Sequence, residues 1–220
     1  MSGIAGVGYA MIYSSNEDRI QVLDYCGPTP HEAIPEAFSS KEVQDIGIRS
    51  CLVPGACAGW LELLEKYGRM DREHVFAPAI ELAEKGFAIT AKNASFMADS
   101  SYRIKGKGKR VILNRGRTPL PGELLIQKDL ARSFRRVVEG GVDVFYRGDL
   151  GEEIVEFIQD KGGLLSKKDL DDFQVEWVNA SSVLYRGYDV FCPPPPSSGF
   201  QILQTLNLLE AYSLEEIGYL

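Results

Sequence analysis

The chain has 220 residues, of which 45% are hydrophobic and 25% are charged, a balance typical of a globular protein with a sizeable core. The formal net charge of −7 at pH 7 disfavours nucleic acid and anionic membrane surfaces as partners. The sequence contains no stretch near the roughly 18 consecutive apolar residues of a membrane span, and its first residues lack the pattern of an export signal. We therefore expect a soluble protein, and we leave its compartment open because sequence upstream could carry a signal.

The first 50 residues predict a strand hairpin followed by an irregular loop. Residues 7–13 and 20–25 are rich in aromatic and β-branched side chains and are separated by polar turn formers, which is the pattern of an antiparallel hairpin. Three prolines between 28 and 35 then exclude regular structure. The glycine-rich opening at 3–8 leads into a strand, whereas a dinucleotide-binding turn leads into a helix. It therefore predicts a close-packed turn and not a nucleotide site.

Residues 51–178 predict a mainly helical segment. Apolar side chains recur at helical spacing in three stretches, and glycine follows each stretch. The stretches are 75–83 before Gly86, 130–138 before Gly140 and Gly141, and 154–158 before Gly162 and Gly163. Ser166 and Asp169 then have the spacing of a capping box at the start of another helix.

Residues 179–220 predict a strand, a proline-rich turn and a helix. The strand covers 183–191, the four prolines at 193–196 end it, and apolar side chains at helical spacing follow at 202–212. Strands at both ends with helices between them favour an α+β protein whose helical part is an excursion from one sheet system. Because the terminal strands have no evident sheet partners, we expect further sequence on both sides.

Few residues have a pattern that indicates chemistry. Ser197, Ser198 and Gly199 follow the stiff proline turn and suit a rigid wall beside a site, although the same arrangement also suits plain architecture. The basic segment 105–117 lacks the aromatic array of a single-strand binder and predicts a solvated loop. No Gly-x-Ser-x-Gly elbow is present, and no Ser, Thr or Cys has the context of an activated nucleophile. We expect no catalytic residue within this chain.

Cysteine and histidine spacing argues against a metal site. Zinc sites built on local spacing use Cys-x-x-Cys pairs or closely spaced histidines, and the chain has neither. The residues concerned are Cys26, Cys51, Cys57, Cys192, His31 and His74. We predict four separate thiols and two surface or helix-capping histidines, while the even cysteine count leaves disulfides open in an oxidising compartment.

Short segments in a fixed order carry a family resemblance along almost the entire chain. Examples are APAIELAEKGF at 77–87 and PPPSSG at 194–199. The full set is 2–9, 23–24, 53–55, 59–60, 67–68, 77–87, 122–125, 145–148, 162–165, 175–177, 185–188 and 194–199. Their order and spacing resemble the γ-glutamyltransferase (γ-glutamyltranspeptidase) family.

The resemblance implies an N-terminal-nucleophile hydrolase with two antiparallel sheets between helices, an αββα sandwich, of which this chain is a large-subunit region. Members of the family cleave themselves before a threonine that begins the small subunit, and that subunit is the expected partner of this chain. The freed threonine attacks a γ-glutamyl amide such as glutathione, its own α-amine serves as base, and no cofactor is needed. The resemblance places this threonine beyond Leu220.

One departure from the family bears on the substrate. The family's second strand is followed by an arginine that pairs with the α-carboxylate of the glutamyl group, and ungapped alignment puts Cys26 at that position. A neutral thiol cannot replace a bidentate cation. Either another residue binds the carboxylate, or the substrate is a different amide or acyl compound. A non-catalytic scaffold that keeps the fold without the chemistry is a further alternative.

Overall fold

The computed structural model describes residues 3–104, 106, 108–113, 116–213 and 217–218. Strands and helices are both present, as the prediction of a mixed fold requires. The strands are β1 (Tyr9–Ser14), β2 (Arg19–Asp24), β3 (Phe87–Ala88), β4 (Leu124–Leu125), β5 (Glu176–Asn179), β6 (Ser181–Tyr185) and β7 (Tyr188–Cys192). The helices are α1 (Lys41–Asp45), α2 (Ala56–Tyr67), α3 (Arg72–Lys85), α4 (Ala91–Asp99), α5 (Gly108–Ile112), α6 (Lys128–Tyr146), α7 (Asp149–Asp160), α8 (Lys167–Asp172) and α9 (Gly199–Glu210).

A three-stranded antiparallel sheet in the order β1, β2, β5 lies beside the candidate site. The predicted hairpin is confirmed as β1 and β2, whose register pairs Tyr9 with Asp24. The third strand, β5, falls in the segment predicted as mainly helical. It pairs with β2 so that Asp24 lies opposite Glu176 at the end of the ladder. The sheet therefore joins two parts of the chain that are far apart in sequence.

The predicted close-packed turn at the opening glycines is also present. The Gly6 N–H donates to the Gly3 carbonyl at 2.8 Å, and the Gly6 carbonyl accepts from the backbone N–H groups of Gly55 and Ala56 at the start of α2. A Cβ atom at Gly55 would lie 2.0 Å from the Tyr25 carbonyl oxygen. Only glycine at position 55 allows the chain before α2 to approach the chain that follows β2 this closely.

The main core lies among α2, α3, α6, α7 and α8. Several of its side chains are almost fully buried, and each such Leu or Phe contributes about 1.5–3 kcal/mol relative to an exposed position. They include Val137, Phe145, Tyr146, Leu165 and Leu170. The predicted helix ending at Gly86 is confirmed as α3, which Asp71 caps at its N-terminus and where Gly86 adopts φ 88°. The predicted capping box of Ser166 and Asp169 is present at the start of α8.

Helical geometry in α6 breaks at Gly141, where the sequence predicts the end of a helix, and the element combines two helices that meet at this residue. Gly141 has φ 66° and ψ −151°, a conformation outside the helical region, and the chain resumes helical geometry up to Tyr146. The glycine therefore marks a kink inside the element. Arg72 lies over this kink, because a Cβ atom at Gly141 would lie 2.4 Å from its Nη1 atom.

The segment 183–191, predicted as one strand, is part of a hairpin. Arg186 and Gly187 both adopt positive φ, 50° and 83°, and connect β6 to β7 as a two-residue turn. Two-residue turns with positive φ at both positions match the right-handed twist of paired strands, which explains the reversal. The predicted helix after the proline turn is confirmed as α9, which packs on this hairpin.

The basic segment 105–117 is described in part. Residues 108–112 form α5, and Arg117 pairs with both carboxylate oxygens of Glu123 at 2.6 and 2.9 Å. The remaining basic residues, Lys105, Lys107 and Arg115, lie outside the described residues. Within the described ranges, no helix is both long and apolar enough to cross a membrane.

Candidate functional site

A cleft of about 490 Å³ opens at the end of the β2–β5 ladder. Its lining comes mainly from the chain that leaves β2 and from the chain that leads into β5, with Val53 added from the chain before α2. The lining residues are Asp24, Cys26, Pro28, His31, Val53, Asp169, Asp172, Phe173, Gln174 and Glu176. Because β2 and β5 are antiparallel, both connecting segments leave the same end of the ladder, and the space between them forms the cleft.

The first wall, residues 25–31, lacks regular structure but is anchored to its surroundings. The Cys26 backbone N–H donates to the Asp24 Oδ1 atom at 2.7 Å. The Val53 N–H donates to the Pro28 carbonyl oxygen at 2.9 Å. Between these bonds, a Cβ atom at Gly27 would lie 1.7 Å from the Val53 carbonyl oxygen, so a larger residue there would displace the backbone. These anchors hold Cys26 at the cleft.

The second wall contains Asp169, a charged side chain that is only 3% exposed. Its Oδ2 atom accepts from the Ser166 N–H at 2.7 Å and from the Ser166 hydroxyl at 2.5 Å. Its Oδ1 atom accepts from the His31 N–H at 2.7 Å and lies 2.5 Å from His31 Nδ1. Burial alone raises the pKa of Asp169, but the hydrogen bonds from Ser166 and His31 outweigh it and hold the pKa below its ordinary value.

The lining of the cleft is acidic. Among the described residues that line it, four are Asp or Glu and none is Lys or Arg, so only His31 can carry a positive charge. Cys26, at the position where the resemblance implies an arginine, is half-buried. No arginine lies beside Cys26 among the described residues of the cleft lining.

The Tyr9 hydroxyl lies near Cys26 and the backbone of Ser197. This hydroxyl is buried and has no hydrogen-bond partner among the described residues. Burial, the Asp24 carboxylate and the Cys26 thiol raise the pKa of Tyr9 to about 12, and the backbone of Ser197 acts in the opposite direction. Cys26 and Ser197, two residues singled out from the sequence, therefore both act on one tyrosine hydroxyl.

Ser197, Ser198 and Gly199 were predicted to form a rigid wall beside a site, and the contacts of Ser197 and Gly199 stabilise the turn before α9. The Ser197 hydroxyl accepts from the Gly199 N–H at 3.1 Å, so that N–H is already bonded, while Ser198 is exposed. A Cβ atom at Gly199 would lie 2.8 Å from the Cys192 sulfur, which explains glycine at the start of α9. A role of Ser197, Ser198 and Gly199 as a site wall stays a prediction.

The cysteines are four free thiols, as predicted. Burial raises the pKa of Cys57 to about 12 and also raises the pKa of Cys51, so both are protonated at neutral pH. No group of three His, Cys, Asp or Glu side chains in the described part of the chain is arranged to hold a metal ion.

Sequence reasoning missed the contact between His31 and Asp169. Asp169 was recognised only as a helix cap, and His31 only as a surface histidine in a proline-rich loop. The two residues are 138 positions apart, and no local pattern links them. His74, by contrast, lies where predicted: its N–H and its Nδ1 atom both contact Asp71 at the start of α3.

Known proteins resemble this chain over its whole length. The family model for gamma-glutamyltranspeptidase matches residues 1–219. An Acylase ACY 1 proenzyme of Pseudomonas sp. (strain SE83) is 33% identical, and the Glutathione hydrolase-like YwrD proenzyme of Bacillus subtilis (strain 168) is 32% identical. Each alignment covers 100% of this chain but 42% of the relative, so the chain spans less than half the length of these proteins.

Solved structures agree with the sequence matches. The gamma-glutamyltranspeptidase of Helicobacter pylori superposes with a TM-score of 0.90 at 31% identity, over 98% of this chain and 64% of that one. A cephalosporin acylase from Bacillus halodurans superposes with a TM-score of 0.89 at 29% identity, over 96% of this chain and 41% of that one. Because the family match extends over nearly every residue and the backbone agrees, this chain belongs to the γ-glutamyltranspeptidase family.

Proposed function

We propose that this chain is the large-subunit portion of an enzyme that cleaves and transfers γ-glutamyl groups from amides such as glutathione. The complete protein is a proenzyme that cleaves itself before a threonine, and the small subunit beginning with that threonine is the partner of this chain. The threonine hydroxyl attacks the amide carbonyl while its α-amine accepts the proton. The C–N bond then breaks as the α-amine returns that proton to the leaving amine, and water or an acceptor amine attacks the acyl-enzyme and frees the threonine. The reaction requires no cofactor.

The observation that carries this proposal is the family match over residues 1–219, together with the TM-score of 0.90 against a gamma-glutamyltranspeptidase. Relatives that cover the whole chain are named as proenzymes, and one is named as glutathione hydrolase-like. The 42% share of those relatives supports the view that this chain is one portion of the working enzyme.

We further propose that the complete protein forms the αββα sandwich. Two separate antiparallel sheets support this arrangement, β1–β2–β5 and β6–β7. The apolar side chains that α9 leaves exposed, such as Ile202 and Leu208, fit a layer that further strands and helices cover.

In the proposed enzyme, the cleft between residues 25–31 and 169–176 receives the acyl group of the substrate. Cys26 then lies where the family pairs an arginine with the α-carboxylate, and the acidic lining repels a second negative charge. We therefore expect the α-carboxylate of a γ-glutamyl donor to contribute little to binding. Contacts with other parts of the donor should supply most of the affinity.

The test is hydrolysis of a γ-glutamyl anilide by the full-length, processed protein and by its Cys26→Arg and Cys26→Ser variants. We expect activity in the unsubstituted protein and a KM about tenfold lower in Cys26→Arg, because a bidentate pair with the carboxylate adds about 1.4 kcal/mol. Cys26→Ser keeps a small neutral side chain and should leave KM within about twofold.

Two results would contradict the proposal in different ways. If the processed protein hydrolyses an acyl anilide that lacks the α-carboxylate, and not the γ-glutamyl compound, the proposed substrate is wrong. The proposal that the protein is an amide-cleaving enzyme then still holds. A complete protein that is never cleaved before a threonine and hydrolyses neither compound would be a scaffold without the chemistry.

A further inference from the structure

The two walls of the cleft separate at one end and meet again at the other. They separate where the β2–β5 ladder ends, at the pair Asp24 and Glu176. They meet at His31 and Asp169, where the carboxylate accepts from the backbone N–H and contacts the ring Nδ1 atom. His31 Nε2 also lies 3.9 Å from Asp172 Oδ2. The cleft is therefore bounded by a strand ladder on one side and by a side-chain contact on the other.

Hydrogen bonds, and not burial, fix the position of His31. Its side chain is 60% exposed, whereas the carboxylate that it contacts is almost inaccessible to water. That carboxylate is itself fixed, because Ser166 donates two hydrogen bonds to it from the start of α8. A rigid acceptor on the helix thus determines where the exposed loop residue lies.

The contact acts on the part of the loop that lines the cleft. Pro28 and Cys26 precede His31 in the same loop. The Pro28 carbonyl accepts from the Val53 N–H, and the Cys26 N–H donates to Asp24. Residues 25–31 form no helix or strand. Beyond the bond between Pro28 and Val53, the contact of His31 with Asp169 joins this loop to α8.

We propose that the His31–Asp169 pair positions the loop that forms one wall of the substrate cleft, and so determines how the acyl group meets Cys26. This inference rests on the proposed function in one respect, that the cleft receives substrate. Its structural part, that the pair holds Cys26 in place, stands independently. His31 is thus a positioning residue that acts through the loop.

A matched set of variants in the full-length, processed protein separates this role from helix stability. His31→Leu removes the ring contact and keeps the backbone N–H bond to Asp169, while His31→Asn returns an N–H donor to the position of Nδ1. Ser166→Ala removes a hydrogen bond to the same carboxylate from the helix side. It leaves the contact with the loop in place.

The first measurement is the rate at which iodoacetamide alkylates individual thiols, followed by peptide mass spectrometry. The alkylation rate of Cys26 measures the exposure of the loop. The rate of Cys57, which is buried in the main core, measures unfolding of the whole chain. We expect His31→Leu to accelerate alkylation of Cys26 about tenfold without changing Cys57, because only the loop is released. In His31→Asn and Ser166→Ala the Cys26 rate should stay within about twofold of the unsubstituted protein.

The second measurement is the kinetics of amide hydrolysis by the same variants. Misplacing a binding wall raises KM for the donor, and we expect about a tenfold increase in His31→Leu with kcat within about threefold. The inference is overturned if Cys26 in His31→Leu reacts at the original rate, or if Cys26 and Cys57 accelerate together. If the unsubstituted protein hydrolyses no amide, the proposed function fails, and the alkylation rates still decide whether the pair positions the loop.

Discussion

At the scale of single residues, Tyr146 shows how one buried hydroxyl group stabilises two elements. It is 1% exposed, donates to the Pro54 carbonyl oxygen at 2.6 Å and accepts from the Ala58 N–H at 3.3 Å. Ala58 lies in the first turn of α2, where backbone N–H groups lack partners within the helix, and Gly55 before it has no side chain to cap them. Tyr146, at the end of α6, therefore caps a helix that begins about 90 residues earlier.

We predict that Tyr146→Phe lowers the free energy of unfolding by about 1–3 kcal/mol, because it leaves a buried carbonyl and a buried N–H without partners. Urea denaturation, with midpoints compared at a constant slope, measures the change. The matched control is Tyr13→Phe, which removes an exposed hydroxyl bonded to Asp18 and should change the free energy by less than about 0.5 kcal/mol. Equal effects of the two substitutions would refute a capping role for Tyr146.

At the scale of elements, the kink in α6 depends on Gly141. Its φ and ψ of 66° and −151° fall in a region that is almost exclusive to glycine. We predict that Gly141→Ala lowers the free energy of unfolding by about 1–3 kcal/mol through backbone strain. The double variant Gly141→Ala with Arg72→Ala separates strain from crowding, since it removes the side chain over the kink. Should the double variant regain the stability of Arg72→Ala alone, crowding by Arg72 would be the cause and not the backbone.

Elements with local signals could be predicted from the sequence, and elements defined by distant contacts could not. The first hairpin, α3 and the capping box of α8 follow from alternation, helical periodicity and cap spacing. Strand β5 has four residues and becomes a strand because it pairs with β2, far away in sequence. The β6–β7 turn was missed because Arg186 adopts positive φ, which the sequence does not signal for arginine.

The same division applies to the candidate site. Cys26 could be singled out because it occupies one position in an ordered family pattern. The opposite wall could not, since its contact with the loop joins residues 138 positions apart. Tyr9 could not be singled out from the sequence either, because it lies near Cys26 and Ser197 only in the folded chain.

At the scale of the whole molecule, the main feature is an apolar surface without a covering layer. Helix α9 buries Leu203, while Ile202 and Leu208 are 62% and 65% exposed. A helix with apolar side chains all round is usually surrounded by protein. The relatives that match the whole chain are more than twice as long as it is. Their additional residues are numerous enough to form a layer that covers α9.

We predict that Leu208→Glu has opposite effects on this chain alone and on the full-length protein. In the 220-residue chain it should reduce self-association, measured by sedimentation velocity, because a charge replaces an exposed apolar side chain. In the full-length protein it should lower the processed fraction seen on denaturing gels and cost about 3 kcal/mol of stability, because the same charge is then buried. Met70→Glu, at a similarly exposed position between α2 and α3, should leave processing unchanged. A full-length Leu208→Glu protein that is processed and melts like the unsubstituted protein would mean that this part of α9 faces solvent in the complete protein.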